Sequence, residues 1–428
     1  MEPVNDPLTG GAATPVLSPA PAGSVAAGGS DAVGDPARHQ LAGPGRWWVT
    51  LLWFMAVAVV VWVVVWLSAA YLPRTDLYPR GSGGPGGAWF EGWARWDAYW
   101  YRAIVEDGYS YYPGVQSAVA YFPTYPAVLW AVSGLFPSVF VAGSVVTLVS
   151  GAVAVVTFRR WAGLFLARRG ATTAAALLVL YPFSWYLFGA IYADALFLAV
   201  AIGAFLALER DRLWLVALLG TVATVSRPTG IAVALGLVLR LLEIRNADAR
   251  SWRSRLDPRS LRRRDYLVFT SFAGIVGWVI YLGVQFGDPF AFSSVQAARG
   301  WDQPASPSTW LKFSFFRNLS ATQLNDSYSI SLLLQAALAV VALALIVVVW
   351  RRLGWGYAGY CMVVVAMPLV GSKDFMGIGR YLLPAFPVFA MAGALLAGRP
   401  KTRMAVLGAS GVTLLVLASF FARGYYLA

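Results

Sequence analysis

Charge, cysteine and histidine are all scarce in this 428-residue sequence. Charged residues account for 12% of the chain, whereas a soluble globular domain carries about 25%. The single cysteine, Cys361, excludes an internal disulfide framework and a thiolate metal centre. The single histidine, His39, lies in the N-terminal tail, which excludes histidine-based catalysis and a multi-histidine metal site. We therefore expect no metal and no other cofactor.

Apolar residues, by contrast, make up 59% of the chain and occur in long runs. The 26 residues from Trp47 to Leu72 include no charge, and a helix needs about 20 apolar residues to cross a bilayer. The pattern predicts an all-α, polytopic membrane protein with about 11 transmembrane helices. The predicted spans are 47–72, 139–158, 171–189, 191–208, 213–226, 229–242, 266–286, 330–350, 355–371, 380–397 and 404–422.

The formal net charge of +13 comes largely from basic residues in short loops between the apolar runs. A nucleic-acid-binding protein would gather such residues on one soluble face, so we expect no nucleic acid partner. If the N-terminus is cytoplasmic, the basic clusters all lie on the inner side, as the positive-inside rule requires. They are at 159–169, 210–212, 245–264, 351–352 and 399–403. This topology predicts a multi-pass plasma-membrane protein surrounded by membrane lipids.

The same topology divides the chain into two regions. Residues 1–45 are rich in Pro, Gly, Ala and Ser, which predicts a disordered cytoplasmic tail, and residues 46–428 form a transmembrane domain. The stretch 121–136 is short and has Pro123 and Pro126 near its start, so we interpret it as a re-entrant or interfacial helix. The domain then has outer loops at 73–138, 287–329 and 371–379 and a basic cytoplasmic loop at 243–265.

The first outer loop has four apolar residues at helical spacing around one carboxylate, that of Asp97. They are Trp93, Trp96, Trp100 and Ile104. The spacing is typical of a helix that lies flat at the membrane interface, where it would hold the carboxylate between lipid and water. In the alternative interpretation, Asp97 only forms an ion pair with Arg95 or Arg102.

Other charged residues fall on the same outer side. Asp194 lies between two apolar runs, Arg227 ends another in SRPTG, and Arg380 opens the run RYLLPAFP. Lys373 and Asp374 precede it in GSKDF. Each of these residues alone could simply be a charged side chain at the end of a membrane helix, where charges are tolerated. Since they share one side, together they predict an anion-binding site roofed by aromatic side chains.

One carboxylate with several cations suits the transfer of a sugar from a lipid phosphate. A hydrolytic glycosidase needs two carboxyl groups, one of which protonates the leaving oxygen. Phosphate leaves as an anion and needs no such acid. The transfer needs a base for the incoming hydroxyl and cations for the departing phosphate, and arginine binds phosphate through paired donors.

The motif RWDAYWYRAIVEDGY, followed by AYFPTYP, resembles the signature of the PIG-V family, the GPI mannosyltransferase 2 type. IYADALF, SRPTG and GDPFAFSSVQ resemble further segments of that family in the same order, and GRYLLPAFP resembles a later one. The resemblance implies a GT-C-type glycosyltransferase fold and a polyprenyl-phosphate-mannose donor. The Ala-, Val- and Arg-rich composition favours a bacterial, actinobacterial-type member. The sequence departs from the eukaryotic pattern at Asp107 and at Pro228 and Thr229, which leaves the acceptor open.

By this resemblance, Asp97 is the catalytic carboxylate of an inverting mannosyltransferase that acts on the outer face of the membrane. The acceptor is a lipid-linked glycan, a glycolipid or a protein. The expected residues for binding the donor phosphate and substrate are Arg95, Trp96, Asp194, Arg227, Gln296, Lys373, Arg380 and Tyr381. Two alternatives stay open, a flippase or transporter of a lipid-linked sugar and a non-catalytic partner of another transferase. A transporter would place charges along a path through the membrane, and the spans contain few.

Overall fold

The computed structural model describes residues 47–78, 87–249, 251–301, 303, 306–321 and 327–427, and their regular structure is entirely helical. Its longer helices are α1 (Trp47–Tyr71), α2 (Asp97–Asp107), α3 (Thr124–Ser133), α4 (Val139–Ala162), α5 (Arg168–Val179), α6 (Asp194–Glu209), α7 (Leu213–Thr224), α8 (Gly230–Arg245), α9 (Ala273–Phe286), α10 (Phe313–Ala321), α11 (Ser327–Leu353), α12 (Trp355–Gly371), α13 (Phe386–Ala397) and α14 (Pro400–Ala422). Single-turn helices are Ala88–Glu91, Trp252–Arg255, Ala291–Ser294, Pro307–Trp310 and Ile378–Tyr381. The 3₁₀ helices are Ala118–Ala120, Ser184–Leu187, Pro258–Ser260, Arg263–Phe272 and Val295–Ala297. The predicted tail, 1–45, lies outside the described residues.

Five helical segments of the described chain are long and apolar enough to cross a membrane. They are α1, α4, the segment Arg263–Phe286, α11 and α14. The 25 residues of α1 extend about 37 Å, which exceeds the hydrocarbon core of about 30 Å. The chain is therefore a membrane protein, as its composition predicted.

The other predicted spans coincide with shorter helices, so the number of eleven crossings stays a prediction. The span predicted at 171–189 is wrong in its second half, because α5 ends at Val179. Pro182 cannot continue a helix, and the chain passes into turns up to the start of α6. The span predicted at 380–397 is also interrupted, at Pro384 between Tyr381 and the start of α13.

The stretch 121–136, predicted to be a re-entrant or interfacial helix, contains helix α3. Its ten residues extend about 15 Å, half of the hydrocarbon core. The helix is therefore too short to cross the membrane by itself.

The bundle is held by contacts of α4 with α6, α5 with α13, α8 with α12 and α1 with α14. Helices α5 and α13 approach closely because small residues face each other, and a Cβ atom at Gly393 would lie 2.5 Å from the Ala174 nitrogen. Close backbone approach of this kind drives helix association in lipid. Aromatic residues fill wider gaps, as where Trp161 packs edge-on against Phe386 at 4.6 Å.

Charged clusters occupy opposite ends of the central helices. Helix α6 runs from Asp194 to Glu209, a length of about 24 Å. At the Glu209 end, Arg240 of α8 pairs with Glu209 at 2.7 Å and with Glu243 at 2.6 Å. Glu243 also accepts the backbone N–H groups that open α12, where the helix dipole favours an anion. These contacts hold α6, α8 and α12 together at this end. The other ends of α6 and α8, which begin at Asp194 and Gly230, therefore lie on the opposite side of the bundle.

The first large loop differs from its prediction. Trp93, Trp96 and Trp100 were expected on one helical stripe, but α2 begins only at Asp97. Trp93 is buried, and its ring lies 5.3 Å from that of Trp62 in α1. The prediction of one continuous interfacial helix is therefore wrong for its first turn, because the loop packs the Trp93 ring inward against α1.

Candidate active site

The Asp97 carboxylate lies in the first turn of α2, where two side chains contact it and a third binds the backbone N–H of the same residue. Its Oδ2 atom forms an ion pair with Nη1 of Arg380 at 3.1 Å. The Tyr121 hydroxyl donates to Oδ1 at 3.3 Å, and the backbone N–H of Asp97 donates to the Tyr192 hydroxyl at 3.3 Å. A carboxylate at a helix N-terminus is also stabilised by the helix dipole. These contacts fix the position of the carboxylate.

An unusual backbone turn at Trp96 precedes the carboxylate. Its φ angle is 52°, a value that bulky residues rarely adopt. The Trp96 N–H donates to the Tyr78 hydroxyl at 2.9 Å, and the Trp96 ring packs edge-on against the rings of Tyr78 and Tyr426 at 5.5 and 4.9 Å. Strained conformations persist only where the surrounding structure holds them. The turn therefore sets the direction in which α2 presents Asp97.

A second ion pair joins Asp194 to Arg227. Asp194 opens α6, and Arg227 lies in the turn between α7 and α8. The turn is tight at Gly230, where a Cβ atom would lie 2.1 Å from the Ala223 carbonyl oxygen. Glycine at this position therefore allows α8 to begin directly against the end of α7, which brings Arg227 to Asp194.

Tyr381 lies between the two arginines and joins the two ion pairs. The guanidinium carbon of Arg380 is 4.9 Å from the centre of the Tyr381 ring, and that of Arg227 is 5.1 Å from it. Nη2 of Arg380 also donates to the Tyr381 hydroxyl at 3.0 Å. Stacking of this kind stabilises cations away from water. Two carboxylates and two guanidinium groups thus form one charge-balanced cluster, which we call the Asp97 cluster (Asp97, Asp194, Arg227, Arg380 and Tyr381).

Solvent access distinguishes the two carboxylates of the cluster. The Asp97 side chain is 26% exposed, whereas that of Asp194 is 2% exposed. The Nε atom of Arg380 is buried and has no hydrogen-bond partner among the described residues. Buried polar atoms are paired in the great majority of cases, so this donor is suited to bind an acceptor atom of a ligand. The cluster therefore offers an accessible base next to an unsatisfied cationic donor.

The cluster contains five of the predicted site residues, and Trp96 directly precedes one of them. Arg95 lies elsewhere. Its buried guanidinium donates to the Ala422 carbonyl from Nε at 3.0 Å and from Nη2 at 2.6 Å, and to the carbonyls of Glu91 and Ala94 at 2.7 and 2.8 Å. Backbone carbonyls therefore engage all three of its nitrogen atoms. Arg95 ties the first loop to the end of α14, and this position does not support the predicted contact with substrate.

Gln296 and Lys373 also lie outside the contacts of the cluster. The Gln296 side chain donates to the Phe292 carbonyl at 3.5 Å, in the single-turn helix that directly precedes its own 3₁₀ helix. The backbone N–H of Lys373 donates to Oε1 of Gln303 at 2.6 Å. Because neither contact reaches Asp97, the substrate-binding roles of both residues stay predictions.

Apart from Tyr381, the tyrosines of the site were missed by sequence reasoning. They are Tyr78, Tyr121, Tyr186, Tyr192 and Tyr426. Tyr121 and Tyr192 stand within the quoted motifs AYFPTYP and IYADALF, so the signal was present in the sequence. Spacing alone does not separate a tyrosine that binds a carboxylate from one that fills a core. Among the described residues, no group of three or more His, Cys, Asp or Glu side chains converges.

No protein-family model and no curated protein matches the sequence. The fold is similar to the crystal structure of ArnT from Cupriavidus metallidurans bound to undecaprenyl phosphate, with a TM-score of 0.51 and 17% identity over 84% of this chain and 62% of that chain. The Archaeoglobus fulgidus oligosaccharyltransferase matches in its apo form with a TM-score of 0.41 and 11% identity, over 88% of this chain and 56% of that chain. The chain thus spans less than two thirds of the length of these proteins. The similarity to ArnT confirms the predicted all-α, GT-C-type fold.

Proposed function

We propose that this protein is a membrane mannosyltransferase that uses polyprenyl-phosphate-mannose as its donor. The observation that carries the proposal is the accessible Asp97 carboxylate beside Arg380, whose buried Nε has no partner among the described residues. The resemblance of the surrounding motifs to PIG-V sequences supports mannose as the sugar. The fold similarity to ArnT, which was crystallised with undecaprenyl phosphate, supports a polyprenyl phosphate as the carrier.

Asp97 is the base in this mechanism. It accepts the proton of the acceptor hydroxyl while the hydroxyl oxygen attacks C1 of mannose. The bond from C1 to the phosphate oxygen breaks, and polyprenyl phosphate leaves with the electron pair. Asp97 then releases its proton to water. Because the transfer is a single displacement, it inverts the configuration at C1.

Arg380 stabilises the departing phosphate. Without substrate, Arg380 and Asp97 neutralise each other through the ion pair at 3.1 Å. A bound phosphate takes over donors of Arg380, including Nε, and leaves Oδ2 of Asp97 for the acceptor. Donors that are fixed before the reaction stabilise developing charge without reorganisation. The Asp194–Arg227 pair supports this arrangement from the buried side, because Arg227 stacks on Tyr381.

The proposed reaction takes place on the extracytoplasmic face of the plasma membrane. The positive-inside rule assigns the basic loop 243–265 to the cytoplasm, and the Asp97 cluster lies at the opposite ends of α6 and α8. The acceptor is a hydroxyl group of a lipid-linked glycan, a glycolipid or a protein.

The test is the substitution Asp97→Asn, which removes the base and keeps the size of the side chain. We expect the initial rate of transfer to fall by about 100-fold or more, since general base catalysis contributes about 10²–10⁴-fold. The rate is measured with radiolabelled polyprenyl-phosphate-mannose in membranes from a strain that lacks the native gene. Asp107→Asn is the matched control, because Asp107 is exposed at the other end of α2.

Wild-type activity in the Asp97→Asn protein, with normal expression, removes Asp97 from the mechanism. Two other results contradict the transferase proposal itself. Movement of the labelled lipid across the membrane without a new glycosidic bond identifies a flippase. Binding of the donor by the wild-type protein without turnover, in the presence of native membrane extract, identifies a non-catalytic partner.

A further inference from the structure

The segment that follows α14 turns back sharply onto the first loop. Helix α14 ends at Ala422, and Gly424 has a φ angle of 89°. Its N–H donates to the Phe421 carbonyl at 2.9 Å, and the next N–H donates to the Phe420 carbonyl at 3.1 Å, the pattern of a glycine-terminated helix. A Cβ atom at Gly424 would lie 2.5 Å from Oγ1 of Thr75. The turn therefore requires glycine both for its dihedral angle and for close packing.

Buried side chains hold this segment at both of its ends. Arg95 binds the Ala422 carbonyl through two nitrogen atoms. Nε2 of Gln335 donates to the Leu427 carbonyl at 3.0 Å, while its Oε1 atom accepts the Gly379 N–H at 3.0 Å. Gln335 is fully buried, and Gly379 directly precedes the arginine of the Asp97 cluster. One side chain thus positions the segment and the cluster relative to each other.

The segment brings the ring of Tyr426 against Trp96, the residue that directly precedes Asp97. The ring packs edge-on against Trp96 at 4.9 Å, and the residue is 49% exposed. By contrast, Tyr192, which contacts Asp97 and Arg380, is 1% exposed. Tyr426 therefore has one side supported by protein and another side open.

We propose that Tyr426, supported by Trp96, forms the subsite for the sugar of the lipid-phosphate donor. This inference rests on the proposed function. The sugar that is transferred must lie between the phosphate on Arg380 and the hydroxyl activated by Asp97, and Tyr426 packs against the residue next to Asp97. A pyranose presents C–H groups on its apolar face, and the electron-rich face of an aromatic ring attracts them. The Tyr426 ring thus binds and orients the hexose.

The neighbouring tyrosine provides a matched control. Tyr425 packs against Phe420 at 5.2 Å and beneath the guanidinium group of Arg423 at 4.9 Å. It belongs to the same segment and has the same side chain, but its ring packs on Phe420 and Arg423 and not on Trp96. If both tyrosines only anchored the segment at the membrane interface, their removal would have the same effect.

The experiment compares the binding of polyprenyl-phosphate-mannose and of sugar-free polyprenyl phosphate to the purified full chain. We expect Tyr426→Leu to weaken binding of the mannose-bearing lipid by about three- to tenfold, the range of aromatic contacts, and to leave binding of polyprenyl phosphate unchanged. Tyr426→Phe keeps the ring and is expected to retain wild-type binding. Tyr425→Leu is expected to bind both lipids as the wild type does, and thermal unfolding checks that each variant is folded.

If Tyr426→Leu weakens the binding of both lipids equally, the proposed sugar subsite is overturned. The residue would then act only on the phosphate that both lipids share or on the fold. Unchanged binding of both lipids also overturns it. A higher KM for the acceptor with unchanged donor binding assigns the ring to the acceptor and contradicts the inference. If the wild-type protein transfers mannose in any of these cases, the proposed function stands and the subsite alone fails. If the wild-type protein neither binds nor transfers, the proposed function fails first.

Discussion

Removing one charge from the Asp194–Arg227 pair tests the energetic basis of the Asp97 cluster. Asp194→Asn preserves the shape of the side chain but leaves the Arg227 guanidinium buried without its counter-ion. The two side chains are 2% and 10% exposed, so water cannot replace the lost partner. Breaking a buried ion pair costs about 3–5 kcal/mol, and a typical domain has a total stability of about 5–15 kcal/mol. We therefore expect a large decrease in the free energy of unfolding.

The assay is a denaturant titration of the purified protein in detergent micelles, followed by tryptophan fluorescence. Glu106→Gln is the reference variant, because it breaks the pair between Arg102 and Glu106, whose side chains are 46% and 43% exposed. Exposed pairs contribute about 0–1 kcal/mol. The contrast between the two variants isolates the effect of burial, since each loses one carboxylate.

A double variant makes the test stricter. Asp194→Asn combined with Arg227→Gln removes both charges, so it is expected to recover part of the stability that Asp194→Asn alone loses. Such non-additivity is the signature of direct coupling between two residues. If Asp194→Asn costs no more than Glu106→Gln, or if the two single losses simply add, the cluster does not depend on a buried ion pair and the reasoning is refuted.

Two further predictions concern single hydrogen bonds. Tyr121→Phe deletes the hydrogen bond from the Tyr121 hydroxyl to Asp97. Because such a bond contributes about 0.5–1.5 kcal/mol, the rate of transfer at saturating donor should fall about three- to tenfold. An unchanged rate contradicts the role of Tyr121 in positioning Asp97. The Tyr111 hydroxyl donates to the Asp288 carboxylate at 2.8 Å and lowers the pKa of that carboxyl below its usual 3.8. This hydrogen bond therefore stabilises the folded protein above pH 3.8. The stabilisation is lost as the pH falls through the lower pKa of the folded state. Thermal unfolding measured from about pH 6 to pH 3 should show a smaller acid-induced decrease for Asp288→Asn than for the wild type, and equal slopes contradict this assignment.

The charged members of the site were predictable because the membrane makes charge informative. Asp194, Arg227 and Arg380 lie far apart in the sequence, but each stands at the end of an apolar run, where a charge is tolerated, and Asp97 lies in the first outer loop. The distribution of basic loops then assigned all of these ends to one side of the membrane. The structure brings the four side chains into two ion pairs joined by Tyr381. Neither the pairing nor its geometry follows from hydropathy.

The remaining features depend on contacts between distant parts of the chain. Arg95 stands beside Asp97 in one motif, yet its guanidinium binds the Ala422 carbonyl 327 residues away. The positive φ angle of Trp96 interrupts a spacing that otherwise indicated a helix. The position of Tyr426 was not predicted, because the turn at Gly424 that directs it toward Trp96 is specified by tertiary packing. Local patterns contain no information on such long-range contacts.

The bond between Arg95 and the Ala422 carbonyl has a consequence for biosynthesis. The ribosome completes the first loop long before it reaches α14. The nascent chain therefore contains Asp97 before the end of α14 is present to bind the neighbouring Arg95. Contacts between such remote positions close a large loop and form slowly. A chain that stalls before α14 therefore lacks the contact between Arg95 and Ala422, and the first loop gains this support only when α14 docks.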